Sequence, residues 1–163
     1  MNKKSVLTFL EARKLVEQYG SPLMVISKDL LNEKIELFHR YLPQVKIHYA
    51  MKSNPAECIV RHLASQNLSF DVASAGEIKQ LAGYGISGSR MIYANHTKNW
   101  AGLASAKEHQ VSTMTFDSET EIEKIAQSQP GARVLLRIQV DNPDALVDLN
   151  SKFGITPEKA PKV

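Results

Sequence analysis

One lysine, Lys52, stands where an apolar run ends and a helix-starting signal begins. Residues 45–49 predict a short strand, and the next residues, Ala50-Met51-Lys52, lead into Ser53-Asn54-Pro55. An ε-amino group at the end of a buried strand can reach an active site and form a Schiff base with a carbonyl compound. Most lysines are solvated surface charges, so this interpretation depends on the residues that accompany Lys52.

The plan of an apolar run, a polar residue and an amphipathic helix recurs along the chain. After Lys52 the polar ends are Ser74, with Asp71 just before it, Asn95, Asp117 and Arg137. These ends repeat about every 20 to 22 residues, which is the length of one β-strand plus one crossover helix. Because parallel strands end at the same edge of a sheet, the polar residues are expected to collect on one face.

Capping signals support this division into strands and helices. Three patterns are typical of helix starts: Asn54-Pro55 with Glu57, and two predicted capping boxes, Ser74 with Glu77 and Ser118 with Glu121. Gly83 and Gly85 are expected to end one helix, and Pro130-Gly131 another. Successive βα units with right-handed crossovers predict an α/β fold with a parallel sheet, either open and doubly wound or closed as a barrel.

Six short motifs occur in a fixed order between Pro22 and Gly154. They are YAMKSN at 49–54, FDVASAGE at 70–77, IYAN at 92–95 with Lys98, MTFDS at 114–118, LLRI at 135–138 and SKFG at 151–154. In this order they resemble the amino-terminal half of the ornithine/diaminopimelate/arginine decarboxylase family, the pyridoxal-phosphate enzymes built on an alanine-racemase-like barrel. The IYAN strand and the DLNSKFG segment at 148–154 resemble the ornithine decarboxylase branch most.

The resemblance implies a TIM-type (β/α)8 barrel, of which this chain would hold about five to six βα units without the carboxy-terminal β domain. Residues 1–21 are expected to form an amino-terminal helical segment, and residues 22–163 the incomplete cofactor-binding barrel. A closed barrel needs about 250 residues. The chain is therefore expected to be part of a longer protein and to be inactive alone, with the phosphate loop and the pyridinium anchor beyond Val163.

The resemblance also implies site residues. Lys52 would hold pyridoxal 5'-phosphate as a Schiff base and exchange it for the substrate amine. Asp71 and Glu77 match positions close to the lysine and the cofactor, although a turn explains Asp71 and the capping box explains Glu77 without chemistry. Arg137 matches a residue beside the cofactor, where an unpaired guanidinium would be costly, so a carboxylate partner is expected.

For the residues next to these sites in sequence we expect structural roles. His48 is expected to pack in the core, Tyr93 to line the barrel, Asn95 to begin a helix and His96 to lie in a loop. Lys152 matches a family lysine that pairs with an aspartate of the other subunit, which implies a homodimer with shared active sites. No metal ligands are predicted.

The implied reaction is decarboxylation of a basic amino acid, most closely L-ornithine to putrescine in polyamine biosynthesis. A lysine or diaminopimelate decarboxylase is one alternative. A non-catalytic regulatory homologue of the antizyme-inhibitor kind is another, and a different enzyme on the same barrel, such as an alanine racemase, is a third. The asparagine and aspartate strand ends argue against the last of these.

Composition is that of a soluble globular protein, with 43% hydrophobic and 23% charged residues and a net charge of +3. The positive charge is spread over the predicted helices, so neither nucleic acid nor an anionic membrane is implied as a partner. Cys58 is the single cysteine, which excludes an internal disulfide and suits a reducing cytoplasm. We expect Cys58 to be buried. The apolar run at 6–10 is too short for a signal peptide or a membrane span.

Overall fold

A computed structural model describes residues 7–140 and 153–163. The chain divides into two compact units, Met1–Val45 and Lys46–Val163. The first contains helices α1 (Phe9–Tyr19) and α2 (Lys28–Tyr41). Thr8 and Glu11 form a capping box at the start of α1, and Ser27 caps α2. Helix α1 lies before the predicted domain boundary at residues 21 and 22 and α2 lies after it; the boundary itself stays a prediction.

The second unit is a five-stranded sheet with connecting helices. Its strands are β1 (His48–Ala50), β2 (Ser69–Val72), β3 (Met91–Tyr93), β4 (Thr113–Phe116) and β5 (Arg133–Leu136). The helices between them are α3 (Glu57–Ser65), α4 (Ala75–Gly83), α5 (Trp100–Glu108) and α6 (Glu119–Ser128). The strands are parallel and lie in chain order, β1-β2-β3-β4-β5. A doubly wound sheet reverses its order at a switch point, so this order selects the barrel-type winding.

The two faces of the sheet differ in burial. Phe70 and Val72 are fully buried, whereas Asp71 between them is half-buried. Since successive side chains of a strand point to opposite faces, the core lies on one face only. The other side chains of that core come from the same face of β3 and β4 and from the helices: Met91, Tyr93, Met114, Phe116, Ile59, Val60, Leu63, Ile78, Leu81, Leu103 and Ile125.

The other face carries polar and apolar side chains in register. Asp71 lies between Ala50 of β1 and Ile92 of β3, and Thr115 lies beside Leu135 of β5. These side chains are half-buried or exposed. Tyr93 belongs to the helix-facing side instead, because it is in register with Val72. The expectation that Tyr93 lines the barrel interior is therefore wrong.

Gly102 of α5 lies against Tyr93. A Cβ at Gly102 would come within 2.2 Å of the Tyr93 hydroxyl. This close approach requires glycine, because even a methyl group would displace the ring. The packing of α5 on the sheet thus depends on a small residue opposite a buried tyrosine.

The helix caps predicted at the starts of α3 and α6 are wrong. Asn54 accepts a hydrogen bond from Ala56 N at 3.1 Å, and helix α3 begins only at Glu57, without a side-chain cap. A short 3-10 turn at Met51–Ser53 occupies the junction and leaves Asn54 to form an Asx turn. Ser118 makes no side-chain capping bond to α6; its Oγ lies 3.3 Å from Thr120 Oγ1, and the Glu121 carboxylate accepts from Lys98 N.

The remaining boundary signals agree more closely with the structure. Ser74 Oγ accepts from Glu77 N at 3.3 Å, so it caps α4 as predicted, but the Glu77 carboxylate accepts from Ala73 N and not from Ser74 N. Gly83 ends α4, and Gly85 follows with a φ of +77°. Strand β1 is shorter than predicted, because it begins at His48 and not at Val45.

Cys58 is exposed, so the expectation that it is buried is wrong. The buried positions of α3 are Ile59, Val60 and Leu63, which places Cys58 at the edge of the solvent-facing side. In the part of the chain that the structure describes, no helix is long and apolar enough to cross a membrane.

Candidate active site at the carboxyl edge of the sheet

The four predicted site residues line one cavity of about 460 Å³ beyond the strand ends. Its walls are Lys52, Asp71, Ala73, Glu77, Ala94, Asn95, His96, Arg137 and Phe153. These residues come from the ends of β1, β2, β3 and β5, the first turn of α4 and the segment after β5. A cavity of this volume lies within the range of small-molecule and cofactor sites.

Lys52 is exposed at the end of β1, on the 3-10 turn. The residue before it, Met51, is fully buried and anchors that turn in the core. The Tyr49 hydroxyl donates to the Asn54 carbonyl at 3.2 Å and closes the turn from the other side. A flexible amine is thus presented to the cavity from a backbone that is fixed on both sides.

Asp71 faces the cavity from β2 and is close enough to Lys52 for the two charges to interact. Burial raises the pKa of the Asp71 carboxyl, while the charges of Lys52 and His48 oppose that rise. The net direction is upward, so the folded protein holds the Asp71 proton more tightly than the unfolded chain does. A carboxyl group kept near a lysine at an energetic cost is typical of functional sites.

Glu77 is held by the backbone at the start of α4. Its Oε2 accepts from Ala73 N at 2.6 Å, and its own N–H is capped by Ser74. A helix N-terminus stabilises a nearby negative charge. Glu77 therefore has a structural role at this helix start and also contributes to the cavity wall.

Arg137 is packed against an aromatic ring and an imidazole. Its guanidinium lies 4.7 Å from the centre of the Phe153 ring, and its Nη1 is 3.3 Å from His96 Nδ1. A guanidinium only donates, so Nδ1 accepts and the proton of the neutral imidazole is on Nε2. The His96 and Phe153 rings contact each other edge to face, with centroids 4.3 Å apart.

The carboxylate partner expected for Arg137 is not found among residues 7–140 and 153–163. Stacking on the Phe153 ring compensates part of the cost of removing the guanidinium from water, because the faces of a guanidinium are weakly hydrated and are attracted to an aromatic ring. His96, assigned to a loop from the sequence, belongs to the cavity wall. Its position two residues after Ala94, at a strand end, is the signal that could have indicated this.

Asn95 joins two strand ends and does not begin a helix. Its Nδ2 donates to the Ala73 carbonyl at 3.1 Å, and its Oδ1 accepts from Thr97 N. Helix α5 is capped by Asn99, whose Oδ1 accepts from Gly102 N at 2.7 Å. The predicted helix entry at Asn95 is therefore wrong by four residues, and Asn95 stays in the cavity wall.

Two further predictions concern groups around the cavity. His48 is half-buried on β1, burial lowers the pKa of its imidazole, and Nδ1 has no hydrogen-bond partner among the described residues. Lys152 lies outside the described residues. Within the described ranges, no three His, Cys, Asp or Glu side chains are grouped to hold a metal ion.

The family is settled by a match along most of the chain. Residues 28–163 match the profile of the pyridoxal-dependent decarboxylases, specifically their pyridoxal binding domain. The chain belongs to this family. Its cofactor is pyridoxal phosphate, which confirms the predicted cofactor, and the relatives confirm the barrel-type fold.

Two curated relatives and one solved structure show how close the likeness is. The lysine/ornithine decarboxylase of Selenomonas ruminantium is 45% identical over 92% of this chain, and the ornithine decarboxylase of Caenorhabditis elegans is 39% identical over 91%. The crystal structure of the Selenomonas ruminantium lysine decarboxylase superimposes with a TM-score of 0.90 at 44% identity, covering 96% of this chain and 41% of that structure. The chain spans 38% and 35% of the length of the two curated relatives.

The cavity suits the cofactor chemically. Pyridoxal phosphate presents an aldehyde, an anionic phosphate and a basic ring nitrogen, and the cavity holds a primary amine, a guanidinium and two carboxyl groups. His48 Nδ1, which has no hydrogen-bond partner in the described part of the chain, lies on the same face of the sheet as Asp71. Lys52 is the amine of this set that can bond the aldehyde.

Proposed function

We propose that this chain forms the amino-terminal, cofactor-binding part of a pyridoxal-phosphate-dependent decarboxylase of basic amino acids. One observation carries the proposal: Lys52, on the turn that follows β1, lines the same cavity as Asp71, Glu77 and Arg137. These four residues come from three βα units, those of β1, β2 with α4, and β5, so their meeting is a property of the fold and not of a local sequence. The family match supports the proposal.

The roles of the residues follow from their chemistry. Lys52 would hold the cofactor aldehyde through its ε-amine and would give that place up to the substrate amine. Asp71 lies beside that amine, where its charge favours the ammonium form and its protonated form can exchange a proton with it. Arg137, oriented by His96 and Phe153, supplies a fixed positive charge at the cavity edge. The cofactor, when bound, would supply a ring that accepts the electron pair left on the substrate when its carboxylate leaves as carbon dioxide.

The proposed substrate is L-ornithine, with putrescine as product and polyamine biosynthesis as the setting. Two curated relatives are named ornithine or lysine/ornithine decarboxylases, and the IYAN strand at 92–95 supports the same branch. The single cysteine supports a reducing compartment such as the cytoplasm.

Substrate preference can be measured in a joined enzyme, in which residues 1–163 precede the carboxy-terminal remainder of the Selenomonas ruminantium lysine decarboxylase. We expect carbon dioxide release to be fastest with ornithine, slower with lysine, and poor with meso-diaminopimelate and arginine. The unmodified Selenomonas enzyme is the control, since it contributes the same remainder. A clear preference for diaminopimelate would assign the chain to another branch, and no turnover with any of the four would contradict the proposed activity.

We also propose that the complete enzyme is a homodimer with shared active sites, because Lys152 resembles a lysine that pairs across the family's subunit interface. The change Lys152→Glu places a negative charge opposite the expected aspartate. We expect the joined enzyme carrying it to sediment more slowly and to lose activity. A variant that stays dimeric and active would show that this lysine is solvated.

Asp71 gives a prediction about stability and pH. Its folded pKa is raised above the unfolded value of 3.8, so the folded state is increasingly penalised as pH rises through the interval between the two. Asp71→Asn removes that penalty. We expect the cofactor-free variant to be more stable than wild type near pH 7 and equal to it well below pH 3.8, the unfolded value.

The measurement is the urea midpoint of the joined enzyme across this pH range, with Glu123→Gln as control. Glu123 is an exposed carboxylate on α6, so its loss should leave the pH dependence unchanged. If Asp71→Asn lowers stability near pH 7, the carboxylate is stabilised in the fold and the direction of its pKa shift is wrong. Decarboxylase activity should fall in the same variant, because the group beside Lys52 is lost.

A further inference from the structure

A buried ion pair lies behind the wall of the cavity. Lys98 and Glu121 are 1% and 3% exposed, and Lys98 Nζ is 3.0 Å from Glu121 Oε1. Lys124 Nζ contacts the second oxygen, Oε2, at 2.6 Å. None of the three side chains lines the cavity. Their burial therefore has no direct chemical use at the site.

The Lys98 ammonium joins two strand ends. Besides Glu121, it donates to the carbonyl of Asn95 at 2.9 Å and to that of Thr115 at 2.5 Å. Asn95 follows β3 and Thr115 lies in β4, so one ammonium spans neighbouring strands at their carboxyl ends. Three acceptors meet three N–H donors, and the buried charge is fully satisfied.

Helix α6 fixes the Lys98 backbone as well. Glu121 Oε1 accepts from Lys98 N at 3.0 Å, and Lys124 Nζ donates to Lys98 O at 2.7 Å. Burial raises the pKa of the Glu121 carboxyl, but hydrogen bonds from Lys124 and Lys98 outweigh it and hold the pKa below the usual value. The carboxylate thus stays charged at neutral pH and serves as a fixed acceptor for the segment.

The held segment is part of the cavity wall. Residues 95–98 include Asn95, which bonds the end of β2, and His96, which contacts Arg137 and Phe153. A shift of this segment would move His96 and release the Arg137 guanidinium from its partner. The ion pair is the connection between α6 and these cavity groups.

A purely stabilising role does not account for this arrangement. Removing two charges from water is costly, and a well-packed apolar pair in the same place is often as stable or more so. What apolar side chains cannot supply is the set of bonds to the carbonyls of Asn95 and Thr115. We propose that Lys98 and Glu121 are positioning residues, which hold segment 95–98 so that Asn95 and His96 keep the cavity shaped for the cofactor. This inference rests on the proposed function.

Amide hydrogen exchange in the cofactor-free joined enzyme tests the holding of the segment. We expect Lys98→Met and Glu121→Gln each to speed exchange in the peptide that covers residues 94–99. The matched control Glu123→Gln removes the same charge from the exposed side of α6 and should change nothing there. Unchanged exchange in both variants would overturn the proposal.

Cofactor affinity and a double variant separate positioning from stability. In Lys98→Met with Glu121→Met both charges are gone, so thermal stability should recover towards wild type. We expect the pyridoxal phosphate dissociation constant to stay about tenfold to a hundredfold raised, because a displaced group is not restored by a stable core. Recovery of affinity together with stability would reduce the pair to a structural element and overturn the proposal. If the single variants do not fold, this double variant decides.

A failure of the positioning role can be distinguished from a failure of the proposed function. If wild-type joined enzyme neither binds the cofactor nor turns over, the function is contradicted whatever the variants do. If wild type binds and turns over while the double variant binds equally well, only the positioning role is contradicted.

Discussion

Replacing Lys52 with alanine in the joined enzyme is expected to reduce carbon dioxide release to background. The side chain is exposed on a turn anchored by Met51, so its loss should leave the fold intact. The enzyme loses the amine that bonds the cofactor and exchanges it for substrate, and no other lysine lines the cavity in the described part of the chain. We expect a fall of more than about a thousandfold, as for other covalent catalytic groups.

The control for this change is Lys107→Ala, which removes an exposed lysine near the end of α5. It should retain wild-type activity and cofactor content. Circular dichroism and the urea midpoint of the Lys52→Ala variant should match wild type. Appreciable turnover by well-folded Lys52→Ala protein would mean that another amine carries the cofactor.

The second large effect concerns residues 1–163 expressed alone, which we expect to release no carbon dioxide and to self-associate. Strands β1 and β5 each have one neighbour in the described sheet, and one face of that sheet is open to solvent. Leu135 and Ile138 on or near β5 are 43% and 47% exposed. Parallel sheets are normally covered on both faces, and unpaired strand edges attract other chains.

Sedimentation velocity and a carbon dioxide assay on this chain, with and without pyridoxal phosphate, check the second prediction. A mass well above that of one chain and the absence of turnover are expected. The joined enzyme is the positive control, since it supplies covering elements to the same strands. A stable, active monomer would show that the active site is built within these residues alone.

The meeting of the four site residues was predictable because strand ends are visible in the sequence. Apolar runs that stop at a polar residue mark the carboxyl ends of β1 to β5, and parallel winding brings those ends together. Lys52, Asp71 and Arg137 each follow such a run. Once the parallel winding is known, residues that are far apart in sequence can be expected to meet at this edge.

What could not be predicted depends on contacts between distant residues. Glu121 has the spacing of a capping box with Ser118, yet its carboxylate goes to Lys98, 23 residues away. A local pattern cannot show that a buried ammonium competes for the same oxygen. For the same reason Lys98, a charged residue in a polar stretch, gave no sign that it is almost fully buried.

Short-range predictions failed where the chain makes an unexpected turn. The 3-10 turn at Met51–Ser53 delays α3, so Asn54 bonds Ala56 and does not cap the helix. That turn also displays Lys52 at the strand end. The 3-10 turn that makes the helix prediction wrong is therefore also the turn that positions the proposed catalytic amine.

Borohydride reduction of the pyridoxal-phosphate-loaded joined enzyme, followed by peptide mapping in a mass spectrometer, tests the central claim most directly. Reduction fixes the cofactor to whichever lysine holds it. We predict one pyridoxyl group in the residues 1–163 portion, on Lys52. A pyridoxyl group on another lysine, with Lys52 unmodified, would contradict the account.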